Sequence, residues 1–172
     1  YGLSEEQLTQ INLIALHDAG YRGAGVVIGI LDTGFNLIHE AFNHPEHPLD
    51  VIAQWDFIND DGFTGIEDGD PESQHRHGTW IPGTNGAYAP NELLGGAYDA
   101  SFILCKTEDV SDETPIEEDY YVAGLEFIEN NGGDVATSSL GYIAWYEQSD
   151  LDGATAVTTV AVNIATANGL HC

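Results

Sequence analysis

Methionine is absent from the 172-residue sequence, so Tyr1 is not a translation start. We therefore expect that the chain was cut from a precursor or is part of a longer sequence. No segment approaches the roughly 20 consecutive apolar residues that a membrane-spanning helix requires. A signal peptide is also missing, as expected if a leader has already been removed, and we predict a secreted or extracellular protein with no membrane partner.

Positive charge is nearly absent from the sequence. Only Arg22, Arg76 and Lys106 oppose 29 acidic residues, which gives a formal net charge of -26. Such a protein repels nucleic acids and anionic membranes, so neither is expected as a partner. The acidity suits cationic substrates, high salt or an extracellular medium with divalent cations. A second interpretation, that the acidic residues only solvate the surface, stays open.

Cysteine is also scarce. The two that are present, Cys105 and Cys172, form neither a disulfide framework nor a metal motif. Both lie in apolar segments, which predicts buried free thiols. His39, His44 and His47 share a proline-rich loop, but their spacing matches no standard zinc pattern, so zinc is disfavoured there.

The residues that are present suffice for one folded domain spanning residues 1–172. The chain is 42% hydrophobic and long enough for a substantial core. Apolar runs predict strands at residues 26–31, 51–57, 101–107 and 135–140. Helical periodicity predicts helices at residues 4–20, 117–130 and 155–167, the first of them opening on the capping-box spacing of Ser4 and Gln7. This alternation predicts an α/β fold with three layers, in which a mostly parallel sheet carries helices on both faces.

The C-terminus interrupts this pattern. The helix predicted at residues 155–167 should cross over to a further parallel strand, yet the sequence stops at Cys172. The last βαβ unit would be unfinished, and one position at the sheet edge would be open. We therefore expect a truncated domain, whose partner at this edge is the missing C-terminal half or copies of the same chain.

Two residues have the character of catalytic groups. Asp32 directly follows the apolar run 26–31, so it lies at the carboxyl end of a buried strand, where open α/β sheets place their binding crevices. An aspartate before a Thr-Gly pair is equally typical of a turn. His77 precedes a second small pair, Gly78-Thr79, which lets a helix begin with the imidazole exposed to a cleft. A structural histidine is the alternative.

Four segments, taken in order, resemble the motifs of the subtilase family of subtilisin-like serine proteases. Residues 25–34 (GVVIGILDTG) resemble the family's aspartate motif, and residues 77–84 (HGTWIPGT) resemble its histidine motif. Residues 97–106 (AYDASFILCK) match in character the strand that follows. Residues 138–141 (SSLG) are similar to the family's substrate-binding strand. The resemblance spans nearly the whole chain.

The resemblance implies a role for each segment in peptide-bond hydrolysis by a serine endopeptidase. Subtilases use a catalytic triad that occurs in the chain order Asp, His, Ser. His77 would be the general base that takes the serine proton, and Asp32 would orient the imidazole and stabilise its charged form. The backbone of Ser139, Leu140 and Gly141 would pair with a peptide or protein substrate as an added strand. No cofactor is required for this catalysis.

The nucleophile is the part of the family pattern that this sequence lacks. No Gly-Thr-Ser-x-Ala segment is present, and the nearest look-alike, residues 153–156 (GATA), contains no serine. The oxyanion-hole asparagine would also lie beyond Cys172. Because removal of the nucleophile costs on the order of 10⁶ in turnover, we predict that this chain is inactive alone. The alternative is a non-catalytic structural protein of subtilase ancestry that assembles into oligomers or filaments.

Two further departures fall in the segment after His77. Trp80 stands where the family often has a second histidine. Pro82 lies five residues after His77, where a proline removes a helical hydrogen bond and costs about 3 kcal/mol. The sequence therefore predicts either a break in the helix at this point or a degenerate local sequence.

An acidic loop between residues 59 and 71 contains the candidate metal ligands. Calcium prefers oxygen ligands, and the loop offers them as Asp60, Asp61, Asp68 and Asp70. Subtilases commonly bind structural calcium, so the resemblance supports the same expectation. The spacing is not that of an EF-hand, and a loop that is only solvated remains the alternative.

Overall fold

A computed structural model describes all 172 residues and contains six strands. In chain order they are β1 (Val27–Asp32), β2 (Asp50–Asp56), β3 (Tyr88–Ala89), β4 (Leu93–Leu94), β5 (Ser101–Lys106) and β6 (Val135–Ser138). Four of them form a parallel sheet in the order β2-β5-β1-β6, and β3 and β4 form a separate antiparallel pair.

The central strands form because their sequences are nearly continuous apolar runs, which suit a sheet covered on both faces. In β1 and in β5 the first residue is half-buried and every later residue is buried. Asp32 pairs with Lys106 of β5, and Leu31 pairs with Ser138 of β6. The carboxyl ends of the four parallel strands therefore meet at one edge of the sheet.

Helices cover both faces of this sheet. They are α1 (Glu5–Gln10), α2 (Leu13–Asp18), α3 (Arg76–Gly86), α4 (Ile116–Asn130) and α5 (Val157–Asn168). On one face, α4 and α5 enclose a core that includes Leu31, Leu125 and Ala165. On the other face, Ile81 of α3 packs against a core that includes Phe102. The predicted three-layer α/β fold is confirmed. None of the helices combines the length and the apolar character needed to cross a lipid bilayer.

The N-terminal helix predicted at residues 4–20 is in fact two short helices. Asn12 adopts a left-handed conformation with φ of 58°, which separates α1 from α2. The predicted capping box does not form either. The Ser4 hydroxyl instead donates to the Tyr1 carbonyl at 2.8 Å and accepts from the Leu94 amide at 2.9 Å. A tertiary contact with β4 thus outweighs the local capping signal.

Helix α3 continues through Pro82, so the break that this residue predicted does not occur. A proline inside a helix collides with the carbonyl four residues earlier, which here belongs to Gly78. Both residues are buried, and α3 packs against β1 and β4. These tertiary contacts hold the helix together despite the lost hydrogen bond.

The last residues of the chain begin to pair with the free side of β6. Helix α5 ends at Gly169, whose φ of 111° suits a glycine at a helix C-terminus. The His171 backbone then donates to the Asp134 carbonyl and accepts from the Ala136 amide, in a parallel bridge. The next outward-facing backbone groups of β6 have no backbone partner.

The packing of α3 against the end of β1 can be tested with two glycines of the same helix. A Cβ atom at Gly78 would overlap the Gly34 carbonyl, whereas a Cβ atom at Gly83 would meet nothing within 4 Å. We expect Gly78→Ala to lower the free energy of unfolding by about 1–3 kcal/mol through overpacking. Gly83→Ala should raise it by about 0.5–1 kcal/mol, because alanine is preferred over glycine in a helix interior. Urea unfolding followed by circular dichroism measures both values, and equal effects would contradict this packing.

Candidate active site

Asp32 and His77 lie side by side although they are 45 residues apart in sequence. His77 Nδ1 is 2.8 Å from Asp32 Oδ1. Asp32, the last residue of β1, is fully buried, whereas the His77 side chain is 42% exposed. The pair therefore connects a carboxylate inside the protein to an imidazole that reaches the surface.

Backbone contacts hold the two segments together. The Gly78 amide donates to the Thr33 hydroxyl at 3.0 Å. Gly34, with φ of 112°, turns the chain after β1 and brings its carbonyl against Gly78, where no side chain intervenes. The small residues of both motifs thus fix the distance between the end of β1 and the first turn of α3, which carries His77.

One oxygen of the Asp32 carboxylate is engaged and the other is free. Oδ1 accepts from the Thr33 amide at 2.7 Å as well as contacting the His77 ring. Oδ2 is buried without a hydrogen-bond donor in the chain. A carboxylate placed in this way favours the tautomer in which Nδ1 carries the proton and Nε2 can act as a base.

Trp80 forms an exposed wall beside the imidazole. Its side chain is 61% exposed. The centroids of the Trp80 and His77 rings are 6.3 Å apart in an edge-to-face arrangement. The tryptophan that departs from the family pattern therefore lies beside the imidazole and forms no hydrogen bond with either of its nitrogens.

Ser139, Leu140 and Gly141 directly follow β6, which is the strand next to β1. The strand ends at Ser138, two residues earlier than predicted. Ser139 and Gly141 are exposed and Leu140 is half-buried. None of their backbone amides or carbonyls bonds to another part of the backbone, so those on the open side have no competitor within the chain for an added strand. Their role in binding substrate remains a prediction.

The chain's one lysine pairs with a cluster of three carboxylates at the same edge of the sheet. Lys106 Nζ lies 2.7 Å from Asp56, 2.9 Å from Asp70 and 3.6 Å from Glu67. Burial opposes the charge of Lys106, but hydrogen bonds to Asp56 and Asp70 outweigh burial and raise the pKa of the ammonium. The cluster ties the acidic loop to the ends of β2 and β5.

The four predicted calcium ligands are not brought together into one group. Asp70 binds Lys106 and accepts a hydrogen bond from the Glu67 amide. Asp61 lies in a second group of carboxylates. Asp60 and Asp68 are exposed and belong to neither.

The group that contains Asp61 brings three carboxylates together. Oxygen atoms of Asp56, Asp61 and Glu67 lie within 4.8 Å of one another. Carboxylate oxygens are the ligands that calcium prefers. Asp56 and Glu67 also face Lys106, so an ion held here would share them with the ammonium.

A buried polar group near the site was not predicted from the sequence. Gln74, Glu108 and Tyr142 are each at most 8% exposed, and the Tyr142 hydroxyl donates to the Glu108 carboxyl. Burial raises the pKa of Glu108 to about 8. A glutamate just beyond an apolar strand is usually a surface residue, so the sequence offers no reason to expect Glu108 to be buried. The one available signal was that Tyr142 directly follows Gly141 of the predicted substrate-binding segment.

Comparison with known proteins identifies the family to which this chain is similar. A sequence model of the subtilase family matches residues 23–170. Minor extracellular protease Vpr of Bacillus subtilis (strain 168) is 31% identical over 160 residues, which cover 88% of this chain and 18% of the relative. Subtilisin Savinase of Lederbergia lenta is 28% identical over 166 residues, covering 95% of this chain and 51% of the relative. An intracellular serine protease of Paenibacillus polymyxa is 28% identical over 124 residues, covering 70% and 34%.

The chain thus spans about half the length of Savinase and less of the other two relatives. The fold is shared with a solved structure, that of a cold adapted subtilisin-like serine proteinase. It superposes with a TM-score of 0.61 at 22% identity, covering 87% of this chain and 45% of that one. Since the family model matches most of the sequence, the chain belongs to the subtilase family.

Proposed function

We propose that this chain supplies the aspartate and the histidine of a subtilisin-like serine endopeptidase. The observation that carries the proposal is the 2.8 Å contact between Asp32 Oδ1 and His77 Nδ1. Family membership supports a peptide or protein substrate. The open backbone of residues 139–141 supports binding of that substrate as an added strand. The serine would come from residues outside this chain, in the same gene product or in a second chain.

In the complete site, the residues of this chain would handle the proton. His77 Nε2 would take the proton of the serine hydroxyl as the oxygen attacks the peptide carbonyl carbon. The same nitrogen would then give a proton to the leaving amine when the peptide C–N bond breaks. Asp32 would hold Nδ1–H and stabilise the imidazolium that exists between these two steps. Without the serine, the chain can bind a peptide but cannot cleave it.

A serine-directed fluorophosphonate probe tests the proposal. We expect the probe to label a longer species, or a partner that co-purifies with the chain, and never the 18.5 kDa chain itself. In the labelled species, His77→Ala should lower peptide hydrolysis on the order of 10⁶-fold, because the serine loses its base. His171→Ala changes an exposed histidine and should leave hydrolysis unchanged. Intact-mass spectrometry identifies the labelled species.

Failure to find any labelled species would overturn the protease proposal and favour the non-catalytic alternative. One observation supports that alternative, namely that the outer edge of β6 pairs only with the backbone at His171. Such an edge can template a strand from a second copy of the chain. Size-exclusion chromatography at low and high salt, run on the same material, shows whether oligomers or filaments form without a probe-reactive partner.

A structural calcium ion and secretion complete the proposal. Asp56, Asp61 and Glu67 would hold the ion, which would neutralise the acidic loop and take no part in the chemistry. The net charge of -26 supports cation binding, because bound cations relieve self-repulsion.

Secretion is supported by the name of one relative, an extracellular protease, although another relative is named intracellular.

Thermal unfolding with and without calcium tests this site. At a calcium concentration ten times Kd, binding adds about 1.4 kcal/mol to the free energy of unfolding. For a chain of this size, that gain corresponds to a rise in Tm of about 3–6 °C. Asp61→Asn should abolish the rise, whereas Asp68→Asn should keep it, because Asp68 lies outside the carboxylate group. The same rise in both variants would contradict a site at Asp61.

A further inference from the structure

We infer that Glu108 is a positioning residue, which sets the place of the peptide-binding segment 139–141 through its hydrogen bond to Tyr142. The inference rests on the proposed function, because that function assigns peptide binding to this segment. It adds a physical connection between the segment and the Asp32–His77 pair. Three side chains carry the connection, and none of them belongs to the motifs that identify the family.

Gln74 begins the connection at the catalytic pair. Its Nε2 group donates to the Thr33 carbonyl at 2.9 Å and to the Glu108 carbonyl at 2.5 Å. Its Oε1 atom accepts from the Val110 amide at 3.1 Å. Gln74 is 1% exposed, and it lies between the residue that follows Asp32 and the backbone that follows β5. The main chain at Glu108 is therefore fixed to the catalytic segments independently of the Glu108 side chain.

The Glu108 side chain extends the connection to the peptide-binding segment. Tyr142 directly follows Gly141, and its hydroxyl donates to Glu108 Oε1. The Tyr142 ring packs edge-to-face on Tyr121, with 5.8 Å between centroids. Residues 139–141 have no backbone hydrogen bonds of their own. Tyr142 is therefore the first buried anchor after β6, and its polar contact is with Glu108.

The groups around Glu108 keep its carboxyl protonated at neutral pH. Burial is the main cause that raises the pKa of Glu108 to about 8, and repulsion by Glu117 and Glu113 of the α4 region acts in the same direction. Hydrogen bonds from Tyr142 and Thr107 act against this shift. Burial also raises the pKa of the phenols, those of Tyr142 and of Tyr121 packed against it, so both stay neutral. The contact thus joins two uncharged groups.

Ionisation of Glu108 would place a charge in this buried contact. Its pKa in the folded protein, about 8, lies above the ordinary value of 4.5. The stability contributed by the protonated acid is therefore fully present below pH 4.5 and is lost as the pH rises through 8. Above that value the carboxylate accepts a stronger hydrogen bond from the Tyr142 hydroxyl and attracts water into the buried contact, so the position of Tyr142 and of the segment before it changes. The Asp32–His77 contact should persist, because Gln74 holds the backbone of Glu108 and not its side chain.

An NMR pH titration of the ¹⁵N-labelled chain tests the inference. We expect the amide signals of residues 139–142 to shift together with a midpoint near pH 8. Glu108→Gln should abolish this titration, because the amide oxygen accepts the same hydrogen bond and does not ionise. Glu126→Gln, an exposed change on α4, should preserve it. If Glu108→Gln does not fold, Tyr142→Phe serves instead, and should remove the titration from residues 139–141 while the Glu108 amide still titrates.

A further variant separates positioning by Glu108 from general loosening of the loop. Glu118 accepts hydrogen bonds from the Trp145 indole and the Tyr146 hydroxyl in the segment after Tyr142. Glu118→Gln should therefore shift the signals at every pH and leave the midpoint near 8. Persistence of the titration in Glu108→Gln, or its absence from the wild-type chain, would overturn the inference. Because the measurement needs neither serine nor substrate, such a failure would leave the protease proposal standing, and a failed fluorophosphonate experiment would leave this titration unaffected.

Discussion

The structure depends on one close approach, between the chain that leaves β1 at Gly34 and the first turn of α3 at Gly78. Two glycines let the backbones meet there without a side chain between them, and this contact sets His77 Nδ1 2.8 Å from Asp32 Oδ1. A strand buried on both faces leaves no room for a shift, and packing keeps α3 continuous even through Pro82. The geometry of the pair is thus a property of one strand and one helix, and both are complete in this chain.

Two buried carboxyl groups of this acidic chain are accommodated differently at the same edge of the sheet. Asp56 is buried against the ammonium of Lys106, which compensates its charge. Glu108 lies two residues after Lys106 and is repelled by Glu117 and Glu113. It is therefore buried in its protonated form. The ion pair of Asp56 with Lys106 anchors the acidic loop. The contact of protonated Glu108 with Tyr142 responds to pH.

Local signals account for what could be predicted from the sequence. The strands β1 and β5 were predicted within one residue at each end, because short, continuous apolar runs rich in β-branched residues are typical of buried strands. The N-terminal helix is divided at the left-handed Asn12, and its capping box is absent because the Ser4 hydroxyl bonds to β4, which no local pattern reveals. Glu108 and Tyr142 are 34 residues apart, and they acquire a shared role only when the ends of β5 and β6 come together. The sequence did not predict that Asp56 would join the carboxylates of the acidic loop, because Asp56 is the last residue of β2 and not part of that loop.

Fold alone does not decide between an enzyme and a structural descendant of one, because the same sheet serves both. The state of Asp32 is more informative. Its Oδ2 is buried without a donor in the chain, and a buried acceptor left in this way costs about 1–3 kcal/mol. The backbone of residues 139–141 also lacks a backbone partner, but this segment is exposed or half-buried and carries no such cost. A triad needs a carboxylate that is fixed in advance to stabilise an imidazolium, and the Thr33 amide holds Asp32 in this way. The arrangement of Asp32 thus supports the proposal that this chain works with a nucleophile from outside it.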